Sequence, residues 1–434
     1  MSTPLLPADA ASLWRATSVA RPGFASLSGD QAFDVVVIGG GYTGLSTALY
    51  LARAGLSPVV VEANRIGWGA SGRNGGVVSG KFRIGFKDIA ARHGLDVARR
   101  MHDLGIEATE HVGQLIGELG IEGADYRPSG SLRCAHNAHM LAMLENEAAW
   151  LRNSLGDTAV SMLGAGEVAA ETGSNGFAGG MLNTHGGVIH PLNYVLGLAA
   201  GLKAAGIAVH ENTPVIRFRR EGAGVVAETP NGRITARQIV IATNSYSDLT
   251  PATAAVRTSI IPFRSAMIAT EPLAGTPGAH LLSSGRSYTE TRRMMRWFRK
   301  SGDRLLYGGR GAFGKTDTNA AFAALEKAMA RQFPELARVK VTHRWSGLVA
   351  MTLDSVPHLG RLDDRVVYSV GYNGTGVALA SAMGRHVAAL VTGEQPDLGL
   401  LTRLPLHSIP FYGLREPAVR LVAGWYQFLD AIGR

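Results

Sequence analysis

The sequence predicts an α/β protein in which a parallel sheet with flanking helices is joined to an antiparallel sheet built from inserted segments. Its 434 residues exceed one ordinary domain. A buried strand, a glycine-rich turn, a helix and a second strand follow one another between residues 34 and 62. Residues 257–270 are apolar and alternating enough for strands, and residues 293–299 and 305–308 on either side of a turn at Ser301-Gly302-Asp303 are typical of an antiparallel hairpin.

Composition limits the classes of protein that this chain can form. With 46% hydrophobic and 18% charged residues, the chain is predicted to bury large cores, and disorder is excluded. Its 55 glycines have no collagen-like period, which indicates places where the backbone must pack closely. The net charge of +9 comes from scattered basic residues, mostly arginine, so a nucleic-acid partner is not predicted. The positive charge favours an anionic substrate.

Cysteine usage and hydropathy indicate a protein of the cytoplasm. The single cysteine, Cys134, excludes internal disulfides and cysteine-based metal sites. The chain does not open with a signal-peptide pattern. Residues 35–52 are uncharged, but the glycines at 39–41 divide this run into strand, turn and helix, so no membrane span is predicted.

The first structured segment carries a dinucleotide-binding pattern. Residues 34–38 (DVVVI) form a β-branched strand, 39–44 read GGGYTG, a helix covers 45–54, and the strand 58–61 ends in Glu62. In G-x-G-x-x-G, Gly39 allows the tight turn, Gly41 admits a pyrophosphate, and Gly44 lets the helix pack on the strand. Glu62 is placed to accept hydrogen bonds from ribose hydroxyls. The pattern predicts a Rossmann-like domain without separating FAD from NAD.

The loop after Glu62 favours a flavin. Residues 63–76 (ANRIGWGASGRNGG) are rich in glycine, whereas a nicotinamide-binding domain usually continues into a plain helix. The block 67–76, with the leader Ser12-Leu13-Trp14, closely resembles the D-amino-acid-oxidase-like superfamily of FAD-dependent oxidoreductases. Within it, the match is to the γ-glutamylputrescine oxidase branch.

The resemblance extends from about residue 12 to 395 as ordered blocks. These are 186–205, 209–215, 237–244, 344–347, 352–360 and 370–377, the last opening a helix over 377–390. The resemblance implies FAD bound without a covalent link, because the first loop has no histidine and the only cysteine lies elsewhere. Thr375 departs from the histidine or glutamine that is common in this branch.

Motif and resemblance together assign the cofactor to one set of residues: Gly39, Gly41, Tyr42, Thr43, Gly44, Glu62, Ala63, Trp68, Gly69, Ala70, Ser71, Arg73, Asn74, Gly75, Gly76, Val215, Thr243, Asn244, Gly347, Gly371, Asn373, Gly374, Thr375, Gly376 and Val377. No metal is predicted. The predicted organisation is a leader (1–33), a discontinuous FAD-binding domain (34–84, 183–250 and 342–395), a substrate domain (85–182 and 251–341) and a C-terminal tail with an amphipathic helix (396–434).

The resemblance implies oxidation of an amine or amino-acid-like substrate, with a γ-glutamyl amine favoured. Hydride passes from the carbon beside a neutral amine to the flavin, the imine hydrolyses, and oxygen or another acceptor takes the electrons. The residues expected at the substrate are Tyr372, Arg299 and Trp297, with Arg299 or Arg310 pairing a carboxylate. None of the seven lysines lies in a flavin motif, which leaves a dehydrogenase open beside the favoured oxidase.

Other motifs were weighed against this interpretation. Residues 309–316 fit the P-loop pattern, but they follow a predicted hairpin strand, which argues against a nucleotide hydrolase. Cys134, His136 and His139 lack regular zinc spacing and are expected at a helix start, and His185 and His190 are expected to be structural. The amphipathic segment 419–432 is predicted to pack on its own domain rather than on a membrane. A nicotinamide dehydrogenase and a tRNA-modifying enzyme are the alternative functions.

Overall fold

The computed structural model describes residues 11–312 and 319–431. Over these residues the helices are α1 (Leu13–Ala16), α2 (Tyr42–Arg53), α3 (Phe86–His93), α4 (Leu95–Leu119), α5 (Ala138–Trp150), α6 (Ala165–Thr172), α7 (Pro191–Ala204), α8 (Ala254–Arg257), α9 (Asn319–Gln332), α10 (Gly376–Thr392), α11 (Leu400–Arg403) and α12 (Arg415–Ala431). The strands are β1 (Gln31–Ala32), β2 (Val35–Ile38), β3 (Pro58–Val61), β4 (Val77–Val78), β5 (Ser131–Ala135), β6 (Val160–Gly164), β7 (Gly179–Asn183), β8 (Gly187–Val188), β9 (Ala208–His210), β10 (Arg217–Glu221), β11 (Gly224–Thr229), β12 (Gly232–Ala236), β13 (Gln238–Ile241), β14 (Ile261–Thr270), β15 (Ser287–Glu290), β16 (Arg296–Ser301), β17 (Arg304–Ala312), β18 (Val341–Met351), β19 (His358–Arg361) and β20 (Val366–Val370).

A six-stranded sheet with the order β19-β20-β13-β2-β3-β9 forms the centre of the fold. Its pairs are parallel except for β19 against β20. Every residue of β2 and β3 is buried, as expected for parallel strands covered on both faces. Segments far apart in sequence meet in this sheet, because each crossover helix returns the chain to the same edge.

Helices α2 and α10 cover one face of this sheet and pack on each other. A Cβ at Gly384 would lie 2.2 Å from the Ser46 hydroxyl oxygen. That hydroxyl donates a 2.7 Å hydrogen bond to the Ser381 carbonyl. Only small residues permit this approach, so the two helices that begin at the glycine-rich turns are held together as one rigid pair.

The second large sheet has eight strands in the order β18-β14-β17-β16-β15-β5-β7-β6. All its pairs are antiparallel except for β15 with β5. The predicted hairpin is confirmed as β16 and β17, with Gly302 at φ 54° between them. The fold class predicted from the sequence, a Rossmann-like domain with an inserted antiparallel sheet, is therefore confirmed.

Strand β18 differs from the predicted organisation. The predicted boundary at residue 342 assigns it to the FAD-binding segment, but it pairs along its whole length with β14 and forms the edge of the eight-stranded sheet. A small four-stranded sheet, β1-β12-β11-β10, adds to the 183–250 segment. The other domain boundaries remain predictions.

The local predictions made for individual segments are largely confirmed. Helices predicted over 45–54, 192–205 and 377–390 are observed as α2, α7 and α10, each starting slightly earlier. The strand expected from residue 257 begins only at Ile261, because Arg257 ends α8.

The C-terminal helix α12 has two distinct faces. Ala418, Val419 and Tyr426 face a large cavity. On the other side, 78% of Leu421 and 56% of Trp425 are exposed. Among the described helices, none is both long and apolar enough to cross a membrane.

The weaker motifs prove structural where they are described. Strand β17, which precedes the P-loop-like residues, is a hairpin strand, and Lys315 and Thr316 lie outside the described residues. Cys134 is buried in β5, and His136 contacts the Thr291 hydroxyl at 2.8 Å. No cluster of metal-ligating side chains occurs within residues 11–312 and 319–431.

Candidate active site

One continuous cavity of ≈ 1830 Å³ runs between the carboxyl ends of the parallel strands and the eight-stranded sheet. This volume exceeds the roughly 300–1,000 Å³ of an ordinary small-ligand pocket. Nearly all predicted site residues line it. The exceptions are Gly44, Gly76, Gly371 and Arg299.

The glycine-rich turn after β2 forms one end of the cavity. Gly39 has φ +111°, and a Cβ there would lie 2.9 Å from the Ala242 carbonyl oxygen. A Cβ on Gly44 would lie 1.9 Å from the Gly39 carbonyl oxygen, so this glycine serves packing beneath the turn rather than the cavity wall. Gly41 is the N-cap of α2 and has no side chain, although the Tyr42 N–H of the first turn donates to Ser71 Oγ at 3.1 Å. The turn therefore presents a helix N-terminus whose cap residue is bare of a side chain, which is suited to a phosphate group.

Glu62 closes this end of the cavity at the end of β3. Its carboxylate accepts hydrogen bonds from the backbone N–H of Gly40 at 2.8 Å and of Asn64 at 2.9 Å. Burial raises the pKa of Glu62, and these two hydrogen bonds act in the opposite direction. Glu62 braces the turn from beside the cavity, where Ala63 and Val215 also lie. Its predicted contact with ribose hydroxyls stays a prediction.

The loop 67–76 forms the next part of the wall and is held by its own side chains. The Asn74 amide donates to the carbonyls of Ser71 at 3.0 Å and Ala70 at 3.1 Å, and its oxygen accepts from the Gly76 N–H at 2.8 Å. The indole of Trp14 donates to the Asn74 carbonyl at 2.8 Å. Asn74 therefore shapes the loop that was predicted to bind the cofactor.

The C-terminal glycine motif is joined to the rest of the wall by short hydrogen bonds. The Gly371 N–H donates to Asn244 Oδ1 at 2.9 Å, and the Thr352 N–H donates to Asn373 Oδ1 at 2.9 Å. Asn373 (φ 54°) and Gly374 (φ +92°) turn the chain into α10. The Thr375 hydroxyl donates to the Tyr372 carbonyl at 3.0 Å, so it serves the turn at this position.

Tyr372, a predicted catalytic residue, lies on the cavity wall with a buried hydroxyl. This hydroxyl shares hydrogen bonds with Thr43 Oγ1 at 2.7 Å and Ser369 Oγ at 2.8 Å. Burial raises the pKa of Tyr372 to about 12, so the phenol is neutral at physiological pH. Its hydroxyl links α2 to β20 and positions the two glycine-rich turns.

Trp297 connects the eight-stranded sheet to the cofactor-side loop. Its ring occupies the space beside two glycines, so that a Cβ on Gly75 would lie 2.8 Å from the indole and one on Gly308 only 2.1 Å away. Trp297 lines the cavity and is partly buried. It therefore forms an apolar wall where the loop and the sheet meet.

Arg299 lies elsewhere than the sequence suggested. Only 3% of this residue is exposed, and it is not part of the cavity wall. Its guanidinium donates to the carbonyls of Gly75 at 2.8 Å and Ile189 at 2.7 Å, and it stacks over Trp14 with 5.1 Å to the ring centroid. These donors are already used within the protein, so a substrate carboxylate has no access to them. The side chain of Arg310, the alternative, lies outside the described residues.

Sequence reasoning missed part of the wall. Residues 79–92, which follow β4, and the inner face of α12 line the cavity opposite the glycine-rich loops. Arg83 and Phe82 belong to this stretch, and Tyr426 of α12 lies close to Arg83. No motif marks these residues, because α12 is brought to the cavity by the fold rather than by its position in the chain.

A parallel sheet with a glycine-capped helix N-terminus, an acid at the end of β3 and glycine turns at both ends of a long cavity defines a dinucleotide-dependent oxidoreductase. The sequence profile of the family described as FAD dependent oxidoreductase matches residues 34–390. The chain belongs to this family, as the resemblance implied, and FAD is its cofactor. The glycine cradle at 39–41 and the turn at 371–376 fit such a group.

Individual relatives agree with this assignment. Gamma-glutamylputrescine oxidoreductase from Escherichia coli strain K12 is 33% identical over 415 residues, which cover 94% of this chain and 96% of the relative. A probable oxidoreductase, OrdL, from Rhizobium meliloti strain 1021 is 34% identical over 422 residues, covering 96% and 97%. The crystal structure of glycine oxidase from Geobacillus kaustophilus matches with a TM-score of 0.73 at 22% identity, covering 86% of this chain and 100% of that one. This last likeness supports the fold alone.

Proposed function

We propose that this FAD-dependent oxidoreductase oxidises a carbon–nitrogen bond in an amine or amino-acid-like substrate, with a γ-glutamyl amine as the favoured class. The observation that carries the proposal is the shared wall at Trp297, where the substrate-side sheet touches the loop 67–76 on one continuous cavity. The E. coli relative, whose name specifies γ-glutamylputrescine, supports the substrate class over nearly the full length of the chain.

The cavity suits a neutral amine. Bound FAD supplies the two-electron acceptor, and the protein supplies orientation and electrostatics. Phe263, Met267 and Trp297 give the wall near the flavin loop an apolar character. Because an apolar environment lowers the pKa of an ammonium group, this wall favours the deprotonated amine and removes the need for a dedicated base.

Two acidic side chains on the wall already have partners. Glu290 is buried and paired with Arg292, and Glu147 accepts from Arg133 at 2.7 Å. Neither group is thus poised to abstract a proton. We infer that Trp297 contacts the methylene chain of the substrate and that Tyr372 acts by positioning the two glycine-rich turns around the cofactor.

Molecular oxygen is the proposed acceptor, which makes the enzyme an oxidase. The alternative is a dehydrogenase of an N-alkyl amino acid with another acceptor. The lysines on the cavity wall, Lys81 and Lys87, are exposed on the stretch after β4 rather than on the glycine-rich loops.

The test is anaerobic reduction of the purified yellow enzyme, followed by the loss of absorbance near ~450 nm. γ-Glutamylputrescine, putrescine, N-methylglycine and L-proline are compared at equal concentration. We expect the γ-glutamyl amine to bleach the flavin fastest, and peroxide to form at the same turnover in air. Bleaching by none of these amines would refute the proposed chemistry, and bleaching without peroxide in air would favour the dehydrogenase.

A further inference from the structure

Arg83 is an arginine on the cavity wall without a partner. It is half-buried, and over residues 11–312 and 319–431 no acid or carbonyl pairs with its guanidinium. The other arginines of the wall whose contacts are described are engaged: Arg133 with Glu147, Arg292 with Glu290, and Arg415 with the Tyr412 carbonyl. A desolvated cation without a counter-ion is costly for a protein to keep, which indicates that an external anion supplies one.

The backbone around Arg83 is held rigidly. Strand β4, which pairs with β8, ends five residues before Arg83 at Val78. At Gly80 the chain meets α4 so closely that a Cβ would lie 2.1 Å from the Gly105 carbonyl oxygen. Phe82 is buried beside it. The backbone that carries Arg83 is therefore held in place by the packing of its neighbours, as a recognition residue requires.

Helix α12 covers this part of the wall. Tyr426 is the ionisable neighbour of the Arg83 guanidinium, and burial lowers the pKa of Arg83 from its ordinary value. The apolar residues Phe82, Ile84 and Val422 line the cavity together with this pair, and Arg83 is more buried than the exposed Lys81 and Lys87 of the same stretch. Such a polar pair fixes the orientation of a long ligand.

The cavity has room for an elongated substrate. Arg83 and the flavin-side loop at Gly67–Gly75 line the same continuous cavity of ≈ 1830 Å³, which is larger than a small amino acid needs. A long substrate can therefore place its oxidisable amine at the flavin loop and a carboxylate at Arg83.

We propose that Arg83, with Tyr426 beside it, binds the α-carboxylate of a long substrate whose oxidised amine lies at the opposite end. This inference rests on the proposed function and deepens it, because it replaces Arg299 as the carboxylate partner. Arg83 acts in recognition: it holds the acidic head in a bidentate pair while the amine end lies against Trp297.

The test compares two ligands that differ only in that carboxylate. γ-Glutamylputrescine carries it, and 4-aminobutyrylputrescine lacks it. In the holoenzyme, Arg83→Gln is expected to raise the dissociation constant for γ-glutamylputrescine, from anaerobic flavin reduction, by about 10- to 100-fold. The dissociation constant for the decarboxylated ligand should change less than about 2-fold. Arg83→Lys should give a constant for γ-glutamylputrescine between those of the wild type and Arg83→Gln, because a lysine keeps the charge but cannot form the bidentate pair.

Two controls separate recognition from a structural effect. Arg338→Gln removes the same charge from an exposed residue that does not line the cavity, and we expect both constants to stay as in the wild type. The FAD content and unfolding temperature of Arg83→Gln should match the wild type, since no internal ion pair is lost. Equal weakening for both ligands, an effect of the same size in Arg338→Gln, or loss of FAD would overturn the assignment.

The inference can fail separately from the proposed function. N-butyl-L-glutamine has the acidic head without the oxidisable amine, and its binding is measured from the change in flavin absorbance without any turnover. Tighter binding than N-butyl-4-aminobutyramide in the wild type, lost in Arg83→Gln, supports the carboxylate site even if no amine reduces the flavin. Equal binding of the two analogues to the wild type refutes the site even if γ-glutamylputrescine is a good substrate.

Discussion

Replacing Arg299 by methionine should damage the protein rather than its substrate affinity. The guanidinium links Gly75, in the flavin-side loop, to Ile189, just before α7, through hydrogen bonds of 2.8 Å and 2.7 Å. Methionine retains a long apolar stem that packs on Trp14, so the substitution removes the donors with little loss of packing. The Ile189 carbonyl would then be buried without a partner, and the half-buried Gly75 carbonyl would lose its donor.

The magnitude follows from those two carbonyls. A buried acceptor left without its partner costs about 1–3 kcal/mol, so the pair costs about 2–6 kcal/mol. Burial lowers the pKa of Arg299 to about 9, which means that the cation itself is held at a cost that the substitution removes. We therefore expect the free energy of unfolding to fall by about 3 kcal/mol, in the lower half of that range.

The binding of FAD should weaken together with the stability of the protein. A Cβ on Gly76 would lie only 2.5 Å from the Arg299 guanidinium, so the loop is shaped around this side chain. Thermal unfolding, followed by the rise in flavin fluorescence as FAD is released, should move to a lower temperature, and purified Arg299→Met should carry less FAD. The control is Lys300→Met on the same strand, whose exposed bond to the Ala279 carbonyl contributes about 1 kcal/mol at most.

One result would refute this reasoning. If Arg299→Met unfolds and holds FAD as the wild type does, yet binds acidic substrates 10-fold or more weakly, the guanidinium is free to meet a carboxylate, as the sequence suggested. Arg83 would then lose its role as the replacement.

Three further outcomes are expected. Gly44→Ala should abolish FAD binding, measured by the absorbance ratio of the purified protein, because the new Cβ would lie 1.9 Å from the Gly39 carbonyl oxygen. Trp297→Leu should keep FAD but slow anaerobic flavin reduction by about 10-fold or more, because the substrate loses its apolar wall. Burial and the nearby guanidinium lower the pKa of His190 to about 4, below the usual 6.5, so stability should be full above pH 6.5 and fall by up to about 3 kcal/mol toward pH 4. His190→Asn keeps a cap for the Asn193 N–H and should flatten this pH dependence in denaturant titrations.

The parts of the fold that follow from neighbouring residues could be predicted from the sequence. The strand 35–38, its glycine turn and α2 were placed within a few residues, because a β-branched run and a G-x-G-x-x-G turn determine their own geometry. The pairing of strand β18 with β14 was not predicted, since it depends on contacts with residues some 80 positions earlier in the chain. Local pattern cannot show which sheet receives such a strand.

The glycine excess of the sequence has two distinct causes in the structure. Gly41 and Gly374 line the cavity, where the backbone must approach the cofactor. Gly44, Gly80 and Gly384 lie beneath or away from it, where two backbones or helices touch. A motif identifies the first kind at Gly41 and the second kind at Gly44, but Gly80 and Gly384 have no local signal, because their partners are distant in sequence.

The arginines show why the substrate side of the site resists prediction from sequence. Arg299 and Arg83 have the same guanidinium group with its paired N–H donors, and both belong to segments near the flavin loop. Arg299 is satisfied by carbonyls from residues 224 and 110 positions away in the chain, whereas no described group satisfies Arg83. A guanidinium already bonded to the backbone fixes the site, and one left without a counter-ion on a cavity wall is available to a ligand. Because that difference is created by the tertiary fold, the sequence alone does not separate the two arginines.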